Sequence, residues 1–104
     1  MKTVWITGAS SGFGAASVRW FAERGWRVGA WARRADRLAQ LRSEVLAASP
    51  DAELWFDTVD VRDSAAVQAA WDRRPFAEVD VLVNNAGLAR GRESIEEGSL
   101  QDWD

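Results

Sequence analysis

Residues 7–14 read Thr-Gly-Ala-Ser-Ser-Gly-Phe-Gly, and this glycine-rich stretch decides how the chain begins to fold. It continues the segment Thr-Val-Trp-Ile-Thr at 3–7, which is typical of a buried strand. It leads into helical periodicity over residues 12–24, with Gly25 where a C-terminal cap belongs. The opening of the chain therefore predicts a strand, a tight glycine turn and a helix in immediate succession.

The residues of this turn suit a phosphate group. Gly8 permits the tight turn, Gly12 lets the backbone approach a pyrophosphate, and Gly14 permits close packing of the helix on the strand. The start of the helix offers amide donors and a positive dipole end, and the hydroxyls of Ser10 and Ser11 add further donors. Because the turn lies between a strand and a helix, it predicts a phosphate-binding site rather than a turn that serves folding alone.

The rest of the chain repeats the alternation of strand and helix. Further strands are predicted at 27–32, 54–59 and 80–84, and further helices at 35–48 and from the cap Asp63 to a point before Pro75. Such alternation predicts a parallel sheet with right-handed crossovers and helices on both faces. The predicted fold class is therefore α/β, a Rossmann-type doubly wound parallel sheet, represented by its first half with four strands in the order 3-2-1-4. Because the apolar strand 79–84 is left at an edge, residues 1–104 are expected to be a half-domain that breaks off after the fourth strand.

The composition of the 104 residues restricts the available chemistry. The chain is 47% hydrophobic and 28% charged, as expected of one globular domain that buries a core. It has no Cys, His or Tyr, and its one lysine is Lys2, which excludes disulfides, thiolate or histidine metal sites and histidine-assisted nucleophiles. No apolar run approaches the roughly 20 residues of a membrane-spanning helix, and no signal peptide is recognised. We expect a cytoplasmic protein without a metal site, in which Glu93, Glu96 and Glu97 form an acidic loop.

The net charge of −3 hides an asymmetry along the chain. Residues 1–42 hold eight basic and two acidic side chains, whereas residues 43–104 hold five and fourteen. The basic first part could attract an anionic ligand, or its arginines could simply be solvated helix faces. Because the arginines are spread out and the total is acidic, nucleic-acid binding is not expected.

Three motifs, in order, resemble the short-chain dehydrogenase/reductase family. They are the glycine turn at 7–14, Asp60-Val61 after the third predicted strand, and Asn-Asn-Ala-Gly at 84–87 after the fourth. The resemblance covers nearly the whole chain, and each motif follows the expected strand. It implies a dinucleotide site along the ends of the strands.

The resemblance also implies which residues contact the dinucleotide. The glycine turn with its two serines would hold the pyrophosphate and the adenosine ribose, and Asp60 with Val61 would hydrogen-bond the adenine. The last motif would line the adenosine side of the cleft. The implied contacts are Gly8, Ser10, Ser11, Gly12, Phe13, Gly14, Asp60, Val61, Asn85, Ala86 and Gly87.

The end of the second strand predicts NADP rather than NAD as the cofactor. NAD-preferring relatives usually place there an acidic residue that accepts hydrogen bonds from the ribose 2′-hydroxyl. This chain reads Trp-Ala-Arg-Arg at 31–34, and the guanidinium groups of Arg33 and Arg34 match the oxygens of a 2′-phosphate. The alternative is that both arginines are solvated residues opening the second helix. Phe13, the two arginines and residues 84–91 also resemble the branch that acts on serine and other 3-hydroxy acids.

The resemblance implies an oxidoreductase, but it assigns no catalytic residue to this chain. The catalytic Ser, Tyr-x-x-x-Lys pair and Asn of the family all follow the Asn-Asn-Ala-Gly motif, and Asn84 and Asn85 do not take that role. We interpret the chain as the NADP-binding portion of an enzyme that transfers a hydride between NADP(H) and a small alcohol or carbonyl substrate, inactive on its own. The small-molecule substrate would bind only to a longer parent chain. A homo-oligomer is possible for that parent. The alternative is a non-catalytic nucleotide-binding or interaction module.

Trp31 allows two interpretations. An indole near the end of the second strand could stack on adenine, or it could fill the core. Alternation along a strand points Trp31 and Ala32 to opposite faces of the sheet, which favours the core.

Overall fold

The computed structural model describes residues 1–85, in which strands and helices alternate. In chain order the elements are β1 (Thr3–Thr7), α1 (Gly12–Glu23), β2 (Arg27–Ala32), α2 (Ala35–Ala48), β3 (Leu54–Thr58), α3 (Ser64–Asp72) and β4 (Val81–Asn84). All strand pairs are parallel and the order is β3-β2-β1-β4, which confirms the predicted α/β fold and strand order. Within residues 1–85, none of the helices has the length and apolar character needed to cross a membrane.

Strand β1 lies at the centre of the described sheet. All five of its residues are buried, because strands flank it on both sides and helices cover both of its faces. Thr7 lies opposite Trp31 of β2 and Asn84 of β4. The carboxyl ends of these strands are therefore level, and the segments that follow them meet at one edge of the sheet.

The helices cover the sheet from two sides. Helices α1 and α2 pack on one face, against a cluster that includes Val4 and Ile6. Helix α3 packs on the other face, against a second cluster that includes Trp5. The alternation of side chains along β1 divides the core in this way.

The second cluster is rich in indoles. Trp5 meets Trp31 edge to face at 5.8 Å between ring centroids and meets Trp71 of α3 at 5.9 Å. Gly29 of β2 leaves the space for the Trp5 ring, because a Cβ at that position would overlap it. Trp31 is 0% exposed, which confirms its prediction as a core residue and leaves it no open face for an adenine.

Helix α1 ends one residue earlier than predicted. The N–H of Arg24 donates to the carbonyl oxygen of Phe21 at 3.1 Å, which closes a tighter turn than the α-helix has. Gly25 follows with a φ of +80°, the left-handed conformation typical of a glycine after a helix. The predicted capping role of Gly25 is confirmed.

Strands β3 and β4 also differ from the prediction by one residue each. β3 ends before Val59, although the N–H of Val59 still donates to the carbonyl oxygen of Ala32 at 2.9 Å. β4 begins after Asp80, whose carboxylate accepts a hydrogen bond from the N–H of Thr3 at 2.8 Å. In both places a hydrogen bond to the neighbouring strand continues one residue beyond the regular hydrogen-bonding pattern of the sheet.

Candidate functional site

The turn after β1 is held mainly by its backbone. Gly8 has a φ of +67°, a conformation that glycine adopts without steric cost. The N–H of Ala9 donates to the carbonyl oxygen of Trp31 at 3.1 Å, and the N–H of Ser11 donates to the carbonyl oxygen of Gly8 at 3.2 Å. These bonds place the start of α1 at the carboxyl edge of the sheet, next to the end of β2.

Ser11 is the N-cap of α1, so its hydroxyl serves the turn itself. Its Oγ donates to the carbonyl oxygen of Gly8 at 2.8 Å and accepts from the N–H of Gly14 at 3.4 Å. The N–H groups of Gly12 and Phe13 have no acceptor among residues 1–85. Two amide donors at the positive end of the helix dipole therefore remain for a ligand anion.

Gly12 and Gly14 have opposite surroundings. A Cβ at Gly14 would overlap the carbonyl oxygen of Gly8 and come within 2.9 Å of the Cα of Ala9. The close approach at Gly14 is therefore between helix α1 and the turn that follows β1, whereas the sequence predicts an approach of the helix to the strand itself. A Cβ at Gly12 would meet no described atom within 4 Å. The space beside Gly12 is open, as a phosphate-binding turn requires.

Asn85 connects the end of β4 to the glycine turn. Its Nδ2 donates to the Oγ of Ser11 at 2.7 Å and to the carbonyl oxygen of Gly8 at 3.2 Å. One residue earlier, the Oδ1 of Asn84 accepts a hydrogen bond from the hydroxyl of Thr7 at 2.9 Å. The Asn-Asn pair thus fixes the turn from the neighbouring strand. The other predicted contacts of this motif, Ala86 and Gly87, lie outside the described residues, as do the three glutamates of the predicted acidic loop.

A cavity of about 300 Å³ opens where the ends of β1, β2 and β3 meet. It is lined by Gly8, Ser10, Ser11, Ala32, Arg33, Arg34, Val59, Asp60, Val61 and Arg62. The fold therefore brings together predicted site residues from three separate segments of the sequence. Four other predicted site residues do not line this cavity. Gly12, Phe13 and Gly14 belong to the start of α1 beside it, and Asn85 contacts Ser11 of the glycine turn.

The two arginines after β2 differ in their contacts. The guanidinium of Arg34 lies 3.3 Å from a carboxylate oxygen of Asp36, and its hydrogen bonds hold the pKa of the Asp36 carboxyl below its usual value. Arg33 makes no hydrogen bond or ion pair with the residues that the structure describes. Its charge acts on the Asp60 carboxylate without a direct contact, so its guanidinium donors are available to a ligand anion.

Asp60 is held by Arg62, a residue that the sequence analysis missed. Arg62 donates to Oδ1 from its backbone N–H at 3.0 Å and from Nε at 3.1 Å, and to Oδ2 from Nη2 at 3.0 Å. The guanidinium bonds first, and then the backbone bond, lower the pKa of the Asp60 carboxyl to about 2. An arginine two residues after an aspartate makes such a pair possible, but the spacing alone does not identify it.

Comparison with known proteins places these features in a family. The family model for short chain dehydrogenase matches residues 2–104. Sulfoacetaldehyde reductase 2 of Chromohalobacter salexigens is 43% identical over 102 residues, which cover 96% of this chain and 39% of the relative. Serine 3-dehydrogenase of Agrobacterium fabrum is 42% identical over 103 residues, which cover 97% of this chain and 39% of the relative. The chain thus spans about two fifths of the length of the curated relatives that it matches.

Solved structures give the same result. The closed form of serine dehydrogenase complexed with NADP+ superposes with a TM-score of 0.72 at 38% sequence identity. The match covers 97% of this chain and 40% of that chain. The similarity therefore extends over sequence and fold together.

Proposed function

The chain belongs to the short chain dehydrogenase family, and on that premise we propose that it is the NADP-binding portion of an oxidoreductase. The whole enzyme would transfer a hydride between NADP(H) and a small alcohol or carbonyl substrate. The observation that carries the proposal is the cavity at the ends of β1, β2 and β3, which brings the glycine turn next to Arg33, a residue whose guanidinium has no hydrogen bond or ion pair among the described residues. A relative of known structure, serine dehydrogenase, was solved with NADP+.

The glycine turn fits the pyrophosphate. The N–H groups of Gly12 and Phe13 are free to donate to an anion bound at the start of α1, and the open space beside Gly12 leaves room for that anion. Ser10 lines the cavity at the ends of β1, β2 and β3 and can donate from its hydroxyl, whereas the hydroxyl of Ser11 holds the turn. In this proposal Ser11 therefore acts on the dinucleotide mainly through the shape that it gives the loop.

The other walls fit the adenosine end. Asp60 offers a carboxylate that stays ionised at neutral pH, which suits the exocyclic amine of adenine, and Val61 offers backbone groups beside it. Asn85 would stabilise the ribose side through the turn that it anchors. Ala86 and Gly87 complete this side of the proposed site on the basis of the motif.

The preference for NADP follows from charge. Asp60 is the only carboxylate among the described residues that line the cavity, and Arg62 engages both of its oxygens. The guanidinium donors of Arg33 are therefore free to pair with a 2′-phosphate, although its charge also acts on Asp60. Arg34 can add a second contact by leaving Asp36, which does not line the cavity. NADP supplies or accepts the hydride when it is bound.

The proposal assigns no catalytic residue to residues 1–104. The sequence holds no tyrosine, and its one lysine, Lys2, lies at the opposite edge of the sheet, with its Nζ 5.6 Å from the ring centroid of Trp26. The chain's own residues bind and orient the dinucleotide. Resemblance to enzymes that act on serine and other 3-hydroxy acids supports a hydroxy acid as the substrate of the whole enzyme.

Titration with NADP+ and NAD+ tests the proposal. A charge-assisted hydrogen bond contributes roughly 1.5–3 kcal/mol, and solvent exposure reduces this value. We therefore expect NADP+ to bind at least about tenfold more tightly than NAD+. The double substitution Arg33→Ala and Arg34→Ala should remove most of this difference.

The control is Arg73→Ala, which removes the same charge from a residue that pairs with Asp57 and does not line the cavity. It should leave the ratio of the two affinities unchanged. Equal affinities for NADP+ and NAD+ in the unsubstituted chain at moderate salt would contradict the proposal, and the two arginines would then be solvated surface residues.

A further inference from the structure

We propose that Arg62 is a positioning residue for base recognition, which fixes the Asp60 carboxylate so that its Oδ2 accepts a hydrogen bond from the exocyclic amine of a bound adenine. This inference rests on the proposed function, because it assumes a dinucleotide in the cavity. It assigns Arg62 to the base and leaves the 2′-phosphate to Arg33.

The hydrogen bonds of the pair leave one acceptor position free. Oδ1 of Asp60 accepts two bonds, from the backbone N–H and the Nε of Arg62, and these occupy the two lone pairs of that oxygen. Oδ2 accepts one bond, from Nη2. One lone pair of Oδ2 therefore remains, and the orientation of the carboxylate is fixed by three donors of a single residue.

Stability does not explain this pair. The side chains of Asp60 and Arg62 are 39% and 72% exposed, and exposed ion pairs contribute little to folding because water and salt screen them. The two residues lie only two positions apart, so the pair does not join separate elements. By contrast, Arg73 at the end of α3 reaches back to Asp57 in β3. The pair therefore acts within the cavity wall, where it orients the Asp60 carboxylate and keeps it ionised.

Arg62 and Arg33 differ in their contacts, and this difference assigns them different roles in binding. Two donor groups of Arg62 are committed to Asp60 at 3.0–3.1 Å, whereas Arg33 makes no hydrogen bond or ion pair among the described residues and acts on Asp60 only through its charge. Selectivity for the base and selectivity for the 2′-phosphate should therefore depend on different side chains. This separation distinguishes positioning by Arg62 from a general contribution of positive charge.

Three ligands measure the two selectivities independently. They are NADP+, NAD+, and the NADP+ analogue in which hypoxanthine replaces adenine. Hypoxanthine presents a carbonyl oxygen where adenine presents its amine, so it loses the bond to Oδ2 and places an acceptor against the carboxylate. We expect the unsubstituted chain to bind NADP+ at least about tenfold more tightly than the hypoxanthine analogue.

Single substitutions then test the assignment. Arg62→Gln should reduce the preference for adenine to about threefold or less and change the NADP+ to NAD+ ratio by less than about twofold. Arg62→Lys keeps the charge but cannot form the fork, so it should lose the preference for adenine in the same way. Arg33→Gln should reduce the NADP+ to NAD+ ratio and leave the preference for adenine unchanged. The control Arg73→Gln should change neither ratio.

The outcomes separate this inference from the proposed function. An unchanged preference for adenine in Arg62→Gln would overturn the inference, and so would a loss of the 2′-phosphate preference in that variant. Binding that selects NADP+ over NAD+ but does not distinguish adenine from hypoxanthine would overturn the inference alone. If the unsubstituted chain binds none of the three dinucleotides, the proposed function itself is wrong and the inference falls with it.

Discussion

Single substitutions at Gly12 and Gly14 should separate the binding role of the glycine turn from its packing role. The two residues lie in the same turn of the same helix, two positions apart. The atoms that obstruct a Cβ at Gly14 belong to the backbone of Gly8 and Ala9, and they cannot rotate away as a flexible side chain would. The Cβ of a new residue at Gly12 has no such obstruction within 4 Å.

The expected magnitudes follow from these contacts. Overpacking of a close contact costs about 1–3 kcal/mol, and alanine regains up to about 1 kcal/mol over glycine through helix propensity. Gly14→Ala should therefore lower the free energy of unfolding by about 1–2 kcal/mol, and by more if the bond from Asn85 to the carbonyl of Gly8 is also lost. Gly12→Ala should leave it equal or slightly higher, because only the propensity term applies.

Binding should respond in the opposite way. Gly12→Val fills the open space beside the turn, where the pyrophosphate is proposed to lie, so the affinity for NADP+ should fall at least about tenfold. Its free energy of unfolding should stay within about 0.5 kcal/mol of that of the unsubstituted chain. Urea unfolding, followed by the fluorescence of the buried indoles, gives the stability, and calorimetric titration with NADP+ gives the affinity.

Two results would refute this reasoning. If Gly12→Val destabilises the chain as much as Gly14→Ala and leaves the affinity unchanged, Gly12 is a packing glycine. If Gly14→Ala leaves the free energy of unfolding unchanged, the close approach of α1 to the turn does not contribute to stability.

Two further predictions concern ionisation and chemistry. Titration of the isotopically labelled Asp60 carboxyl by NMR should give a pKa of about 2. The substitution Arg62→Gln should raise this pKa toward 3.8. Equal pKa values in the two chains would show that Arg62 does not hold the carboxylate. Because the pKa is lowered on folding, any stabilisation from this pair is present above about pH 4 and is lost as the pH falls through about 2. The 104-residue chain should not transfer hydride to any carbonyl or from any alcohol, because no residue can act as the tyrosine–lysine pair; turnover that persists after exclusion of contaminating enzymes would contradict this.

The sequence predicted the fold because its apolar patterns are strong and local. The five residues of β1 are all buried, as their unbroken run predicts, and alternation correctly placed Trp31 in the core. The boundaries were less predictable, since they depend on single hydrogen bonds. The bond from Arg24 to Phe21 that ends α1, for example, is one of several that its N–H could form.

The residues around the cavity were predicted in part. Parallel strands bring their carboxyl ends to one edge, so the convergence of the glycine turn, Arg33 and Asp60 follows from the topology. The commitment of the Ser11 hydroxyl to the turn and the fork from Arg62 to Asp60 do not follow from it. Each depends on which of several partners a side chain reaches in the folded chain, and sequence spacing does not determine this choice.

The bonds from Asn85 also bear on the order in which the protein assembles. Asn85 is separated from Gly8 by 77 positions in the sequence and from Ser11 by 74. Such nonlocal contacts form late, because a long segment of chain must first be ordered. The two bonds from Asn85 therefore form only when β4 has joined the sheet, whereas the backbone bonds of the glycine turn do not depend on β4. A nucleotide that binds this completed turn stabilises the native state and not the earlier partly folded states. If the chain binds a nucleotide as proposed, a higher nucleotide concentration should raise the fraction of chains in the native state.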